Sequence, residues 1–218
     1  MNFPDFSYEE KCWNDGYNMV IGVDEVGRGA WAGPVIAASA AMKIFNEKEK
    51  LLKKIISLGI NDSKKLTARK REFLSGEISK YFYCGIGEAS VGEINRYGIV
   101  KATEKAMRRA VGNLTMKQFS NVTMNGRFFL LVDAFYVKYT AGIPLRNQKA
   151  IIQGDGKCIS IAAASIVAKV YRDRLMERLS TKYTQYGWER NAGYGTEYHR
   201  RAIEKYGICK LHRLKFVD

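Results

Sequence analysis

The chain has 218 residues, 46% hydrophobic and 12% aromatic, enough to bury a sizeable core in one large domain with a smaller appendage. Thirty-six Lys and Arg against 22 Asp and Glu give a formal charge of +14, which suits attraction to phosphates but carries no mechanism. No apolar run approaches the roughly 18 residues of a membrane span, and four cysteines without a C-x-x-C pair beside only two histidines argue against a zinc site and a disulfide framework.

The N-terminal stretch MNFPDFSYEEKCWND is mixed and acidic, with no basic-then-apolar signal, so a soluble cytoplasmic protein is expected. A strand is predicted at about 18–24 and a second at 34–43, joined by a Gly-rich turn. Helical patterns follow at 46–58 and at 67–80, with Thr67 as N-cap. A strand covers about 81–89. Ser90 and Glu93 then have the spacing of a capping box, and a helix or helices run from there to about 112. RFFLLVD (127–133) and KAIIQGD (149–155) read as two more strands. The longest helix is predicted over 159–182, and a last one is capped by Thr196 and ended by Gly207. The pattern is α/β with a mixed sheet. Residues 1–182 read as the main domain, and 183–218, basic and aromatic without strand pattern, as a helical segment packed on it.

Three of the apolar strands end in acids: IGVD-E at Asp24 and Glu25, FFLLVD at Asp133, and AIIQGD at Asp155. Any one of these is explained by a turn or a helix cap. Three on neighbouring strands converge on one sheet edge, where four carboxylates cannot all remain ionised without a counter-charge. An all-oxygen shell of that kind selects Mg²⁺ or Mn²⁺, and metals held by acids in a basic protein point to phosphodiester hydrolysis. Adjacent strand residues point to opposite faces, so Asp24 and Glu25 reach one site only if the strand ends or bends there.

Two loops carry further signals. In NAGYGTEYHRR (191–201), Tyr194 stands between two glycines just before a predicted helix, where backbone approaches a ligand closely and the ring offers a flat face. A surface turn with its tyrosine packed on the core is the alternative. DSKKL (62–66) offers a hydroxyl and two ammonium groups to phosphate, or is simply a helix start. Gly27-Arg28-Gly29 is not a dinucleotide fingerprint, because acids precede it and a strand, not a helix, follows. His199, beside two arginines, reads as a phosphate or capping contact, and His212 as packing.

With these pieces in place, the sequence resembles the ribonuclease HII family from about residue 20 to the end. GVDEVGRGAWAGPVIAA, NDSKKLTARKRE, LVDAF, IIQGDGKCISIAAASIVAKVYRDRLM, YGWERNAGYGTEYH and HRLKF carry the likeness. The resemblance implies a ribonuclease H-like fold: a mixed five-stranded sheet flanked by helices, with a helical C-terminal segment. It implies hydrolysis of RNA in RNA–DNA hybrids and incision 5′ to a ribonucleotide embedded in duplex DNA. Cleavage would leave 3′-hydroxyl and 5′-phosphate ends and require Mn²⁺ or Mg²⁺. By the same resemblance, Asp24, Glu25, Asp133 and Asp155 are the catalytic and metal-holding acids. Gly27, Arg28 and Gly29 sense the ribose 2′-hydroxyl, and Tyr194 packs on the ribose at the RNA–DNA junction. Ser63, Lys64, Ser165 and Lys169 approach the substrate. Ala30-Trp31, Gly98 and Asn191-Ala192 depart from the usual family pattern. The partners expected are hybrid and junction duplexes, with no membrane, and the chain is expected to act as a monomer. The competing readings are a non-catalytic basic nucleic-acid-binding protein and a related hybrid nuclease without junction specificity.

Overall fold

A computed structural model describes residues 3–43, 48–119, 127–140 and 142–217. A first helix, α1 (Ser7–Asn14), precedes the sheet. The sequence pattern did not single it out; its Glu9 is buried and accepts from the Ser160 amide (2.8 Å) at the start of the longest helix. The strands are β1 (Met19–Val26), β2 (Val35–Met42), β3 (Phe82–Ala89), β4 (Phe128–Asp133) and β5 (Gln148–Ile151). They form one mixed sheet in the order β3-β2-β1-β4-β5, antiparallel across β3, β2 and β1 and parallel across β1, β4 and β5.

The helices are α2 (Lys48–Ser57), α3 (Ala68–Tyr81), α4 (Val91–Tyr97), α5 (Ile99–Phe119), α6 (Ile159–Ser180), α7 (Trp188–Asn191), α8 (Glu197–Tyr206) and α9 (Leu214–Val217). The predicted caps form: Thr67 accepts from the Lys70 amide, and Thr196 from that of His199. Ser90 and Glu93 close a capping box. Gly98, at φ 81°, separates α4 from α5, so the helical stretch after Ser90 is two helices.

Period-two alternation sorts the core. Met19, Ile21 and Val23 of β1, with Leu130 and Val132 of β4, pack with α5 on one face of the sheet. Val20, Leu131 and Ile161 cluster on the opposite face, where α6 lies. Gly22 is required there, since a Cβ would come 2.1 Å from the Ser160 carbonyl carbon. The first half of helix α6, residues 159–168, is small or apolar and buried all round, packed between the sheet, α2 and α3, so it has no polar stripe to read. Among the described residues no helix is long and apolar enough to cross a membrane.

The C-terminal segment packs around Ala32, Met176, Tyr186, Trp188 and Ala202, and an isolated bridge joins Ala32 to His212. It therefore rests on the turn between β1 and β2 as well as on α6.

Candidate active site

The sheet opens where its central strand outlasts a neighbour. β1 pairs with β4 only as far as Val23 with Val132, but with β2 it continues to Val26 with Ile36. Past Val23, β1 therefore has a free edge on the β4 side, just where Asp24 and Glu25 stand. The expectation that the strand ends or bends at the two acids is corrected: β1 runs regularly through both. Both faces of the free edge border the same cleft, so residues of opposite parity reach it without a kink.

By strand parity Asp24 and Asp133 project to the α6 face, one residue beyond the Val23–Val132 pair. Asp24 is only 5% exposed; its Oδ1 accepts from the Glu25 amide at 2.7 Å, and its carboxylate is also within reach of the Ser165 hydroxyl on α6. Glu25 projects to the other face, where Arg28 Nη1 donates to its Oε1 at 3.2 Å. Its Oε2 is buried without a hydrogen-bond partner. Burial raises the Asp24 carboxyl well above the usual carboxylate range, reinforced by the charges of Glu25 and Asp133. Glu25 is raised as well, by burial and by Asp133, with Arg28 opposing.

The fourth acid is placed differently from the sequence reading. β5 ends at Ile151, four residues short, so Asp155 does not end a strand. It lies on a 3-10 turn, Gly154–Gly156, reached through Gln153 in the left-handed region at φ 56°. Two apolar residues before Gln153 look like a strand running on, but Ile152 is 74% exposed and outside the ladder. The turn is tied back by the Gly154 amide, which donates to Asp133 Oδ1 at 2.7 Å. Asp155 is raised by burial and by Asp62 and Asp133, with Lys64 opposing. Asp62 is thus an acid that the sequence reading passed over, although it opens the DSKKL stretch. Its side chain also accepts from the Lys64 amide at 2.9 Å.

A cleft of about 460 Å³ is lined by Asp24, Glu25, Val26, Gly27, Arg28, Gly29, Ser63, Lys64, Ser165, Lys169 and Tyr194. Asp133 and Asp155 stand alongside it and are not in its lining. A separate, mixed-charge groove lies between α3, α6 and α7. The cleft of interest is the one that gathers acids, an arginine turn between two glycines and an aromatic ring. Burial pulls the Lys64 ammonium down, but Asp155, Asp62, Asp24 and Asp133 outweigh it and hold it above the ordinary lysine value. Ser165 donates to Ser63 at 3.0 Å, joining α6 to the turn that carries Lys64. Lys169 also lines the cleft, with its ammonium paired to Asp173 at 2.7 Å.

Among the described residues, no three metal-ligating side chains stand close enough to share one ion with their present rotamers. Asp24 and Asp133 each spend one oxygen on a nearby amide. The donor set nevertheless fits a hard cation: all-oxygen, like-charged, under-neutralised, and including the orphaned Glu25 Oε2.

His199 is not at the surface. It is fully buried, accepts from Trp188 Nε1 at its Nε2 (3.1 Å), and lies 3.2 Å from His212 Nε2. The Cys209 amide donates to His212 Nδ1 (2.9 Å), so the proton of His212 sits on Nε2 and points at His199. That leaves His199 Nδ1–H to donate to the Tyr194 carbonyl at 2.9 Å. Both rings are satisfied only when neutral, and burial lowers both, His212 to about 4.

A five-stranded mixed sheet with acids at the parting of two central parallel strands is a ribonuclease H-like architecture. The chain superposes with a TM-score of 0.68 on the ribonuclease HII of the PCNA complex from Archaeoglobus fulgidus, at 25% identity over 91% of this chain and 95% of that one. The ribonuclease HII family profile matches residues 21–218. Ribonuclease HII of Wolbachia pipientis from Culex pipiens is 46% identical over 100% of this chain and 98% of its own length; that of Thermosynechococcus vestitus is 43% identical over 96% and 89%. The chain belongs to the ribonuclease HII family, metal-dependent endonucleases that act on RNA–DNA hybrids. Membership removes the non-catalytic binding protein as a reading.

Proposed function

We propose that this chain, besides hydrolysing RNA in hybrids, incises duplex DNA on the 5′ side of an embedded ribonucleotide, leaving 3′-hydroxyl and 5′-phosphate ends. The observation that carries the proposal is the single cleft in which Asp24 and Glu25 share walls with Gly27–Gly29 and Tyr194. Acids for chemistry and a ring and turn for reading one sugar lie within one substrate's reach.

Asp24, Glu25 and Asp133 are assigned to holding Mg²⁺ or Mn²⁺, with Asp155 at a second ion or in proton transfer. A bound divalent cation supplies charge neutralisation at the scissile phosphate and a lowered pKa for the attacking water. The chain's own groups do the rest. Lys64 and Arg28 bring positive charge to the phosphates, and Ser63 and Ser165 hold the Lys64 turn against α6. Backbone amides of the Gly27–Gly29 turn meet the 2′-hydroxyl, and the half-buried Tyr194 ring packs on the ribose. The 2′-hydroxyl is read and is not the nucleophile. We read residues 1–182 as the catalytic body and 183–218 as the segment that delivers Tyr194, in a monomer working in the cytoplasm.

Incision of a duplex carrying one ribonucleotide, run with Mg²⁺ and with Mn²⁺, tests this. A nick 5′ to the ribose is expected with at least one ion. Cleavage of long hybrids alone would favour the relative without junction specificity.

A further inference from the structure

Two arginines lie beneath the cleft with no exposure at all, Arg172 on α6 and Arg213 just before α9. Among the described residues neither has a carboxylate within ion-pair distance. Arg213 Nη2 is buried with no hydrogen-bond partner. Burial and the like charge of Arg172 push Arg213 down to about 9, which still leaves it protonated at neutral pH. Two buried, unpaired cations side by side are an expensive arrangement, and the core around them would pack more easily with apolar side chains. Their hydrogen bonds indicate what they do.

Every bond they make goes to a main-chain carbonyl of the two substrate-facing loops. Arg172 donates to Pro34 O (3.2 Å), Ala32 O (3.1 Å) and Ala192 O (2.8 Å). Arg213 donates to Gly33 O (2.9 Å) and Arg28 O (2.8 Å). Its amide donates to Trp31 O, while the amides of Trp31 and Ala32 donate to Gly193 O. The Arg172 guanidinium also sits 5.4 Å from the centre of the Tyr194 ring.

The glycines of both loops record how closely this is packed. A Cβ at Gly27 would lie 2.2 Å from Arg172 Nε, and one at Gly193 would lie 2.6 Å from Ala32 O; both residues have positive φ.

We propose that Arg172 and Arg213 are positioning residues: Arg172 fastens the 27–34 turn to the Ala192–Tyr194 loop, and Arg213 braces the same turn from the C-terminal segment, so that sugar-reading turn and tyrosine form one preformed surface. A planar fork with several fixed donors lets Arg172 reach carbonyls of both loops at once and Arg213 two separated carbonyls of the turn, which a lysine cannot do. The inference rests on the reading of Tyr194 and Gly27–Gly29 as the elements that read a single ribose. It adds that discrimination for a lone ribonucleotide depends on two residues that never touch the substrate. A long hybrid, gripped along many nucleotides, depends on their registration far less.

The test uses the full chain with R172K and R213K, which keep the charge and lose the fork, beside Y194A. Initial rates are measured on a duplex with one ribonucleotide and on a continuous hybrid, together with duplex binding and thermal unfolding. The expected result is at least about a tenfold drop in single-ribonucleotide incision for either Arg variant, with hybrid cleavage within about threefold of wild type. Loss of both activities in equal proportion, or failure of both variants to fold, would assign the arginines to stability alone and overturn the proposal. If Y194A loses the discrimination but both Arg variants keep it, the fastening role fails and the site reading stands. If wild type or Y194A shows no selective response to the single ribonucleotide, the site reading itself fails and takes this inference with it.

Discussion

At the acid end of the cleft, Asp24, Glu25 and Asp133 are set by strand register, and their like charges work against one another in a buried place. At the other end, Gly27–Gly29 and Tyr194 are set by backbone, through carbonyls held by buried arginines and a histidine. The first end is rich in charge and poor in neutralisation; the second is rich in hydrogen bonds. If the proposed roles hold, the contrast teaches that chemistry and recognition in this cleft fail in different ways, one through single atoms and the other through geometry.

Exchanging one oxygen at the acid end is the harshest test. Asp133→Asn should lower incision of every substrate by at least about a hundredfold while hybrid binding stays near wild type. Incision rates beside a gel-shift titration decide it; parallel loss of binding would place Asp133 in substrate grip. At the other end Tyr194→Ala should cost about tenfold on a single ribonucleotide and much less on general duplex affinity, the loss of one ring contact. Equal loss on both would erase the distinction between the ends.

Acid should loosen the Tyr194 end before the sheet. His212 is held neutral, with its folded pKa pushed to about 4 against an ordinary 6.5. The unfolded chain therefore binds the extra proton first. The stability His212 contributes is complete above about pH 6.5 and is lost as pH falls toward 4. Hydrogen exchange at pH 7 and pH 5 should show amides of 188–212 opening while β1 and β4 stay protected. Uniform protection at both values would refute the coupling.

The smallest effect lies away from the cleft. Arg109 and Lys105 hold Glu93 down to about 2. Its folded pKa is depressed, so its contribution is present above about 4.5 and lost as pH falls through 2. Glu93→Gln should cost about 1 kcal/mol at neutral pH, with that difference vanishing in acid and activity per folded molecule unchanged. Urea unfolding at pH 7 and pH 3 measures it.

Much of this was legible in the sequence. Acids closing apolar runs marked Asp24, Glu25 and Asp133 as candidates, and Ser90, Thr67 and Thr196 announced their caps, because strand alternation and capping act over a few residues. What stayed hidden depends on distant partners. The free edge that lets Asp24 and Glu25 serve one cleft comes from β4 stopping short, which no local pattern encodes. Asp155 looked strand-terminal because two isoleucines continue the apolar run, whereas Gln153 turns the chain at positive φ. Arg172 and His199 sit in charged-looking stretches, RDR and HRR, and are nevertheless fully buried. Their carbonyl and imidazole partners lie up to 140 residues away.

The central claim is that the acids are kept for chemistry at the expense of the apo fold. Asp24→Asn tests it most directly, because asparagine still accepts from the Glu25 amide while removing a buried charge beside Glu25 and Asp133. Thermal unfolding in chelator and incision with Mg²⁺ or Mn²⁺ are read on the same preparation. The account predicts a higher melting temperature and no incision; a lower melting temperature with incision retained would contradict it.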